Sequence, residues 1–383
     1  MDKEFETSIY WKIIYGAVAI AVIGLSIFLF FDSRSPAGLG KVIMPVILLV
    51  IAFGIIVNLI KRKIVISQYN IISTGVWGTR ELSNTNVKGF RIGDKAIYIK
   101  PKDGYSKITI RDYISIGKST ELIECLKTQY TDLDAVEYNQ EHEEILNDPN
   151  LGFSKEDREA SFKKASQLSL VYNIVGVVLS FLVALLFKYN QIIDIVILLY
   201  PLGGIALISL SKGLIMLIAK KSSAHYQIFI GIYMPVIVLM IKSIVDYHIF
   251  QYENFWVPFI IIGIILFTVL FIYSIRKSNT LIAGQLIVAI LIAFAYSYGS
   301  VIRINCNFDL SKPKIYTPIV LDQHIITGKK DSYYLNLGPW GTRIYPDDIQ
   351  VDYTLYHNVT IGGHVNIELK KGLLNIPWFY LQQ

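Results

Sequence analysis

From Ile13 to Phe31 the chain carries no charged residue. A helix of that length, at ~1.5 Å per residue, matches the ~30 Å hydrocarbon core of a bilayer. Inside hydrocarbon every backbone amide needs an internal partner, so such a run has to be helical. A second run, Val42 to Ile60, closes on Lys61-Arg62-Lys63. Five more follow at Leu168–Phe187, Ile192–Ala219, Tyr226–Val245, Trp256–Ile275 and Leu281–Ile302. With 17% charged residues and a mean hydropathy of +0.46, the chain as a whole sits outside the soluble norm. Seven transmembrane helices are the expectation. The first run has no small-residue cleavage site behind it and reads as a retained helix.

Basic clusters stay on the cytoplasmic side of a membrane. Lys61-Arg62-Lys63, Lys220-Lys221 and Arg276-Lys277 end the second, fourth and sixth runs, so one orientation satisfies all three. It predicts a multi-pass protein of the cytoplasmic (inner) membrane, with the N-terminus inside and the C-terminus outside. The net charge of +6 then belongs to topology, and no nucleic-acid partner is expected. Cys125 and Cys306 fall on opposite faces in this threading, which precludes an intrachain disulfide.

Between Lys61 and about Asn150 the pattern shortens to alternating segments: Ile64–Ser67, Ile71–Ser73, Thr79–Leu82, Val87–Ile92, Ala96–Lys100 and Lys107–Ile110. An amphipathic helix follows, capped by Ser119 or Thr120, with Leu122, Ile123, Leu126 and Tyr130 on one face. This strand order, with Gly75-Val76-Trp77-Gly78-Thr79-Arg80-Glu81-Leu82 leading through Asn86-Val87-Lys88-Gly89-Phe90, resembles the bacterial PH-like (pleckstrin-homology-like) domains that follow two transmembrane helices in small membrane proteins. The resemblance covers the first third of the chain. It implies a binding or scaffold domain at the inner face, without a phosphoinositide signature.

Lys61 to Lys118 holds 12 Lys/Arg against 4 Asp/Glu, whereas Glu121 to Glu159 holds 12 acids against 3 bases. The basic half is suited to an anionic inner leaflet, with Lys61, Arg62, Lys63, Arg80, Lys88 and Arg91 as its candidate contacts. The competing reading is a solvated strand face. Glu141-His142-Glu143-Glu144 makes no metal site, because consecutive helical residues do not converge. Ser154 and Asp157 form a capping box for the helix that enters the membrane.

The expected plan is therefore two transmembrane helices (1–60), a cytoplasmic PH-like β-barrel (61–135), an acidic linker and helix (136–166), five further helices (167–302) and a small all-β extracytoplasmic domain (303–383). In the last, strands are expected at Ile319–Ile326, Ser332–Leu337, Gln350–Tyr356, Val359–Ile361 and His364–Leu369, with Gly362-Gly363 as a hairpin turn. Trp77-Gly78-Thr79-Arg80 recurs as Trp340-Gly341-Thr342-Arg343, a match short enough to be chance.

Ionisable residues within the predicted spans are the first functional candidates, because they are costly there. Asp194, Lys242 and Asp246 lie near outer ends. Lys212 lies deeper, in a run loosened by Pro201 and Gly203-Gly204, and with Ser209 and Ser211 it forms a candidate transport site. Against this stands the lack of a buried acidic partner for Lys212. His324, His357 and His364 with Asp347, Asp348 and Asp352 have no metal or hydrolase spacing. No catalytic residue, metal or cofactor is expected. The sequence points to a non-enzymatic binding, scaffold or sensor protein with protein partners, and, as the alternative, to a transporter or channel using the Lys212 helix.

Overall fold

The structure is a computed structural model that describes residues 2–31, 39–186, 191–275, 283–328 and 331–382. Seven of its helices are long and apolar enough to cross a membrane. The chain divides into two compact units, Met1–Glu143 with Lys221–Ala224, and Glu144–Lys220 with His225–Gln383.

The first unit begins with a strand that the sequence does not announce. β1 (Lys3–Glu6) precedes two membrane helices, α1 (Ile9–Phe31) and α2 (Leu39–Lys61), and pairs antiparallel with β2 (Lys63–Ile66), which follows them. Most of the predicted turn between the helices, 32–38, lies outside the described residues. The helices hold to each other through Ser26 Oγ, which donates to the Pro45 carbonyl at 2.8 Å. β3 (Asn70–Gly75) and β4 (Gly78–Ser83) complete a sheet of order β1-β2-β3-β4. β5 (Val87–Ile92), β6 (Ala96–Pro101) and β7 (Ile108–Arg111) form a second, antiparallel sheet. All six alternating segments are strands because alternation buries one face: Ile64, Ile66, Ile97, Ile99, Ile108 and Ile110 share one core. α3 (Ser119–Gln129) closes that core with Leu122, Cys125 and Leu126, and Tyr130 follows at its end.

Two local expectations change here. The cap of α3 is Lys118, in the left-handed region at φ 69°, and no side chain caps the helix. The acidic linker is largely a helix, α4 (Leu133–Asn147), held by its acids: Arg91 bonds Asp134 at 3.0 Å and Glu137 at 2.6 Å. Glu141 accepts from Ser223 Oγ and Ala224 N, which attaches the 221–224 segment to this unit.

The second unit opens with α5 (Lys155–Leu186), and Ser154 and Asp157 exchange the two bonds of the predicted capping box, 3.0 and 3.1 Å. α6 (Gln191–Leu210) is shorter than the apolar run suggests. It stops where Lys212 and Gly213 take positive φ, and β8 (Ile215–Met216) then pairs parallel with β9 (Tyr226–Gln227). α7 (Phe229–Asp246) follows, then the two-residue strand β10 (His248–Ile249), α8 (Trp256–Leu270) with a π turn through Ile275, and α9 (Ala283–Asn307). The predicted Arg276-Lys277 stop and the start of the seventh run lie outside the described residues. The helices pack by close approach of small residues: a Cβ on Gly176 would sit 2.5 Å from the Gly231 carbonyl oxygen, and one on Gly231 2.7 Å from the Tyr172 ring.

The C-terminal segment contains β11 (Lys314–Tyr316), β12 (Val320–Ile326), β13 (Ser332–Leu337), β14 (Asp347–Val351), α10 (Tyr353–Asn358), β15 (Ile367–Lys370) and β16 (Trp378–Leu381). They form sheets of order β12-β13-β14 and β10-β16-β15-β11, the latter including the strand between α7 and α8. The predicted strand through Tyr356 is a helix instead, because Asp352 caps it by accepting from the Leu355 amide at 2.8 Å. Val359–Ile361 is not a strand and Gly362-Gly363 is not a hairpin; Gly362, at φ 85°, sits in a turn beside the Ile319–His364 bridge. The two Trp-Gly-Thr-Arg copies share no environment: Trp77 is 96% exposed at the β3–β4 tip, and Trp340 is 5% exposed in the C-terminal core.

Candidate functional site: a buried charge cluster in the five-helix bundle

α9 carries Tyr296, Ser300, Arg303 and Asn307 at i, i+4, i+7 and i+11, a polar stripe in a helix otherwise fit for a membrane. All but Asn307 are buried, and Arg303 retains 2% of its exposure. An unpaired guanidinium could not persist in such a place, since a buried ion needs a counter-ion and hydrogen bonds.

Two helices supply the counter-ions. Asp194 in the first turn of α6 pairs with Arg303 Nη1, and Asp246 at the end of α7 accepts from Nη2 at 2.7 Å. Lys242, one turn before Asp246, approaches it at 3.4 Å. The other Asp194 oxygen accepts from Asn307 Nδ2 at 2.6 Å, and Asn307 Oδ1 accepts from the Tyr247 hydroxyl. Two carboxylates thus face one guanidinium and one ammonium, and the cluster is neutral with all four ionised. Arg303 Nε has no hydrogen-bond partner among the described residues.

Immediately beyond, α9 is tied to the C-terminal segment by polar bonds. Asn305 Nδ2 donates to the Ile376 carbonyl at 2.8 Å, and its Oδ1 accepts from Leu374 N at 2.9 Å. Asp309 accepts from Ser311 N at 2.8 Å and from Gly372 N and Trp378 Nε1 at 2.9 Å each. Burial raises the pKa of Asp309, but these donors together outweigh it and hold the carboxyl below its ordinary value. Gly372 is at φ 79° and its Cα faces Asn305, so only glycine fits this turn.

The residues singled out from sequence fall elsewhere. Lys212 lies past the end of α6, and its Nζ donates to the Asn150 carbonyl at 2.6 Å. Ser209 and Ser211 bond carbonyls of their own last turn, and Ser211 Oγ also accepts from Ile215 N. These three residues take part in the end of α6 and the turn that follows it. In the basic set, Arg62 is committed to Ser115 Oγ at 2.7 Å and to the Arg111 and Asp112 carbonyls. Arg91 is held by α4, and Lys63 pairs with Glu4 at 2.8 Å. Lys61, Arg80 and Lys88 are exposed. His324 stacks on Tyr334, His357 bonds the Tyr353 carbonyl and His364 the Thr317 carbonyl, so the three do not meet. Among the described residues no three His, Cys, Asp or Glu converge on one point.

Arg303 directly follows the last apolar residue of the seventh run, so by sequence it reads as the end of that run. The α9 stripe was the signal that marks it as part of the span. No family model, curated protein or solved structure matches the chain.

Proposed function

We propose that the protein is a non-enzymatic binding, scaffold or sensor protein of the cytoplasmic membrane, joining an external β domain to an internal PH-like domain. The observation that carries this reading is the run of polar bonds from the Arg303 cluster through Asn305 and Asp309 into the C-terminal segment. It ties α9 directly to that segment, which supports a protein that passes on an external binding event.

Counting crossings supports the two-faced arrangement. The α6–α7 loop belongs with the first unit through Glu141, two crossings after α2. The α7–α8 loop supplies β10 to the C-terminal sheet, two crossings before that sheet. Each agrees with an odd number of crossings between the first unit and the tail, and the basic clusters set which side is inside. The first unit's seven strands and closing helix support the PH-like reading.

The test replaces Cys125 and Cys306 with serine and labels Asp103→Cys or Tyr345→Cys with an impermeant maleimide in intact cells. Only the second should react. Labelling of both would place the two β regions in one compartment and end the linking role.

A second reading has one observation behind it: Asp194, Arg303 and Asp246 form an acid–base group within the spans, of the kind ion-coupled transporters use. Flux through proteoliposomes that vanishes in Asp194→Asn would favour transport over the sensor reading.

A further inference from the structure

In the first unit a cleft of about 950 Å³ opens between α2 and the sheets. Its volume is at the upper end of the ~300–1,000 Å³ typical of small-molecule sites. One wall is a single face of α2, formed by Ile51, Gly54, Ile55, Asn58 and Leu59 at i, i+3, i+4, i+7 and i+8. From Leu59 to Ile51 this stripe runs about 12 Å along the helix, which takes it well into one leaflet of a ~30 Å core. The opposite wall is strand backbone and basic side chains, with Arg80, Lys107 and Arg111 lining it. All three are exposed, and none meets a carboxylate among the described residues. The one acid in the lining, Asp112, is engaged by the Tyr15 hydroxyl at 2.6 Å and by Arg62 at 3.9 Å. Trp77, almost wholly exposed, stands at the rim on the β3–β4 tip, an interfacial residue by chemistry.

We propose that this cleft holds one anionic phospholipid, with its phosphate on Arg80, Lys107 and Arg111 and an acyl chain along the Ile51–Leu59 face of α2. The occupant follows from the walls. A soluble anion would leave the apolar wall uncovered, and a neutral lipid would leave three cations without a counter-charge. The basic contacts differ from the six that sequence alone suggests. Only Arg80 is common to both sets: Arg62, which also lines the cleft, is held with Lys63 and Arg91 by bonds inside the unit, and Lys61 and Lys88 are exposed away from the lining.

The cleft also offers a blocking substitution. A Cβ on Gly54 meets nothing within 4 Å, so Gly54→Phe fills the space while replacing glycine in a helix by a better helix former. The full-length protein, purified in mild detergent with phosphatidylglycerol or phosphatidylcholine, is examined by native mass spectrometry for retained lipid. The wild type should keep one phosphatidylglycerol and release phosphatidylcholine. Removing the charges in Arg80→Gln/Lys107→Gln/Arg111→Gln should weaken retention by tenfold or more, at roughly 1 kcal/mol per basic contact. Gly54→Phe should abolish it with the elution profile unchanged. Equal retention of both lipids, full displacement by inorganic phosphate, or indifference to both variants would each overturn the proposal. The topology labelling above can fail while this binding succeeds, and the reverse, so the two readings are separable.

Discussion

The chain crosses the membrane in two styles. The α1–α2 hairpin has only 11% of each span buried within the protein, and its one described side-chain bond between helices is a serine on a proline carbonyl. α9, in the five-helix bundle, has 56% of its span buried and holds a guanidinium between two carboxylates. The hairpin relies mainly on hydrophobic length, with few side-chain bonds of its own. The bundle needs specific partners, because glycine-mediated backbone approach and buried ions tolerate few alternatives. A defined arrangement of helices is therefore built more firmly into the bundle than into the hairpin.

The sharpest way to break this contrast is Arg303→Ala, which takes the guanidinium from Asp194 and leaves Asp246 to Lys242. A loss of about 3–5 kcal/mol is expected, as when one partner of a buried ion pair is removed. Thermal unfolding of the purified protein would register it, and a shift no larger than that of a hairpin variant would remove the distinction. Asn305→Ala comes next. It frees the Leu374 amide and the Ile376 carbonyl at a cost of about 1–3 kcal/mol, and hydrogen exchange should quicken across Gly372–Ile376 before it does in α9. Asp309 sharpens the same attachment through pH. Its folded pKa lies below the ordinary 3.8, so its contribution is complete above that value and fades as pH falls through the lowered one. Exchange at the Gly372 amide in acid should follow that course, and Asp309→Asn should flatten it. The smallest effect belongs to Ser26→Ala in the hairpin, about 0.6 kcal/mol, the average for a side-chain hydrogen bond between membrane helices. A loss of several kcal/mol there would show the hairpin to be as specific as the bundle.

Much of the fold is legible in the sequence because its signals are local. Seven apolar runs and six alternating segments lie where the helices and the first unit's strands are found, and Ser154 and Asp157 cap α5 as their spacing predicts. Signals that depend on distant partners were not legible. Lys3–Glu6 is a strand only because Lys63–Ile66 returns beside it, and His248–Ile249 only because the chain's end does. The end of α6 was overrun because Leu214–Leu217 is as apolar beyond the turn as a helix would be. The identical Trp-Gly-Thr-Arg words, one at an exposed tip and one in a core, show how little four residues decide by themselves. For the site, Asp194, Lys242 and Asp246 are marked by their cost in hydrocarbon but their places near the outer ends assign them to the headgroups, whereas Arg303 is missed because a charge at the edge of an apolar run reads as its end.

The pairing of β1 with β2 has a consequence for biogenesis. The first strand emerges from the ribosome almost sixty residues before its neighbour, with two membrane helices made in between. Only after the hairpin has turned and returned to the side of the first strand can the sheet close around Phe5. A second helix that fails to return leaves the sheet without its edge strand and Phe5 without a core. Completion of that domain is thus a checkpoint on the return of the second helix, built into the order in which the chain is made.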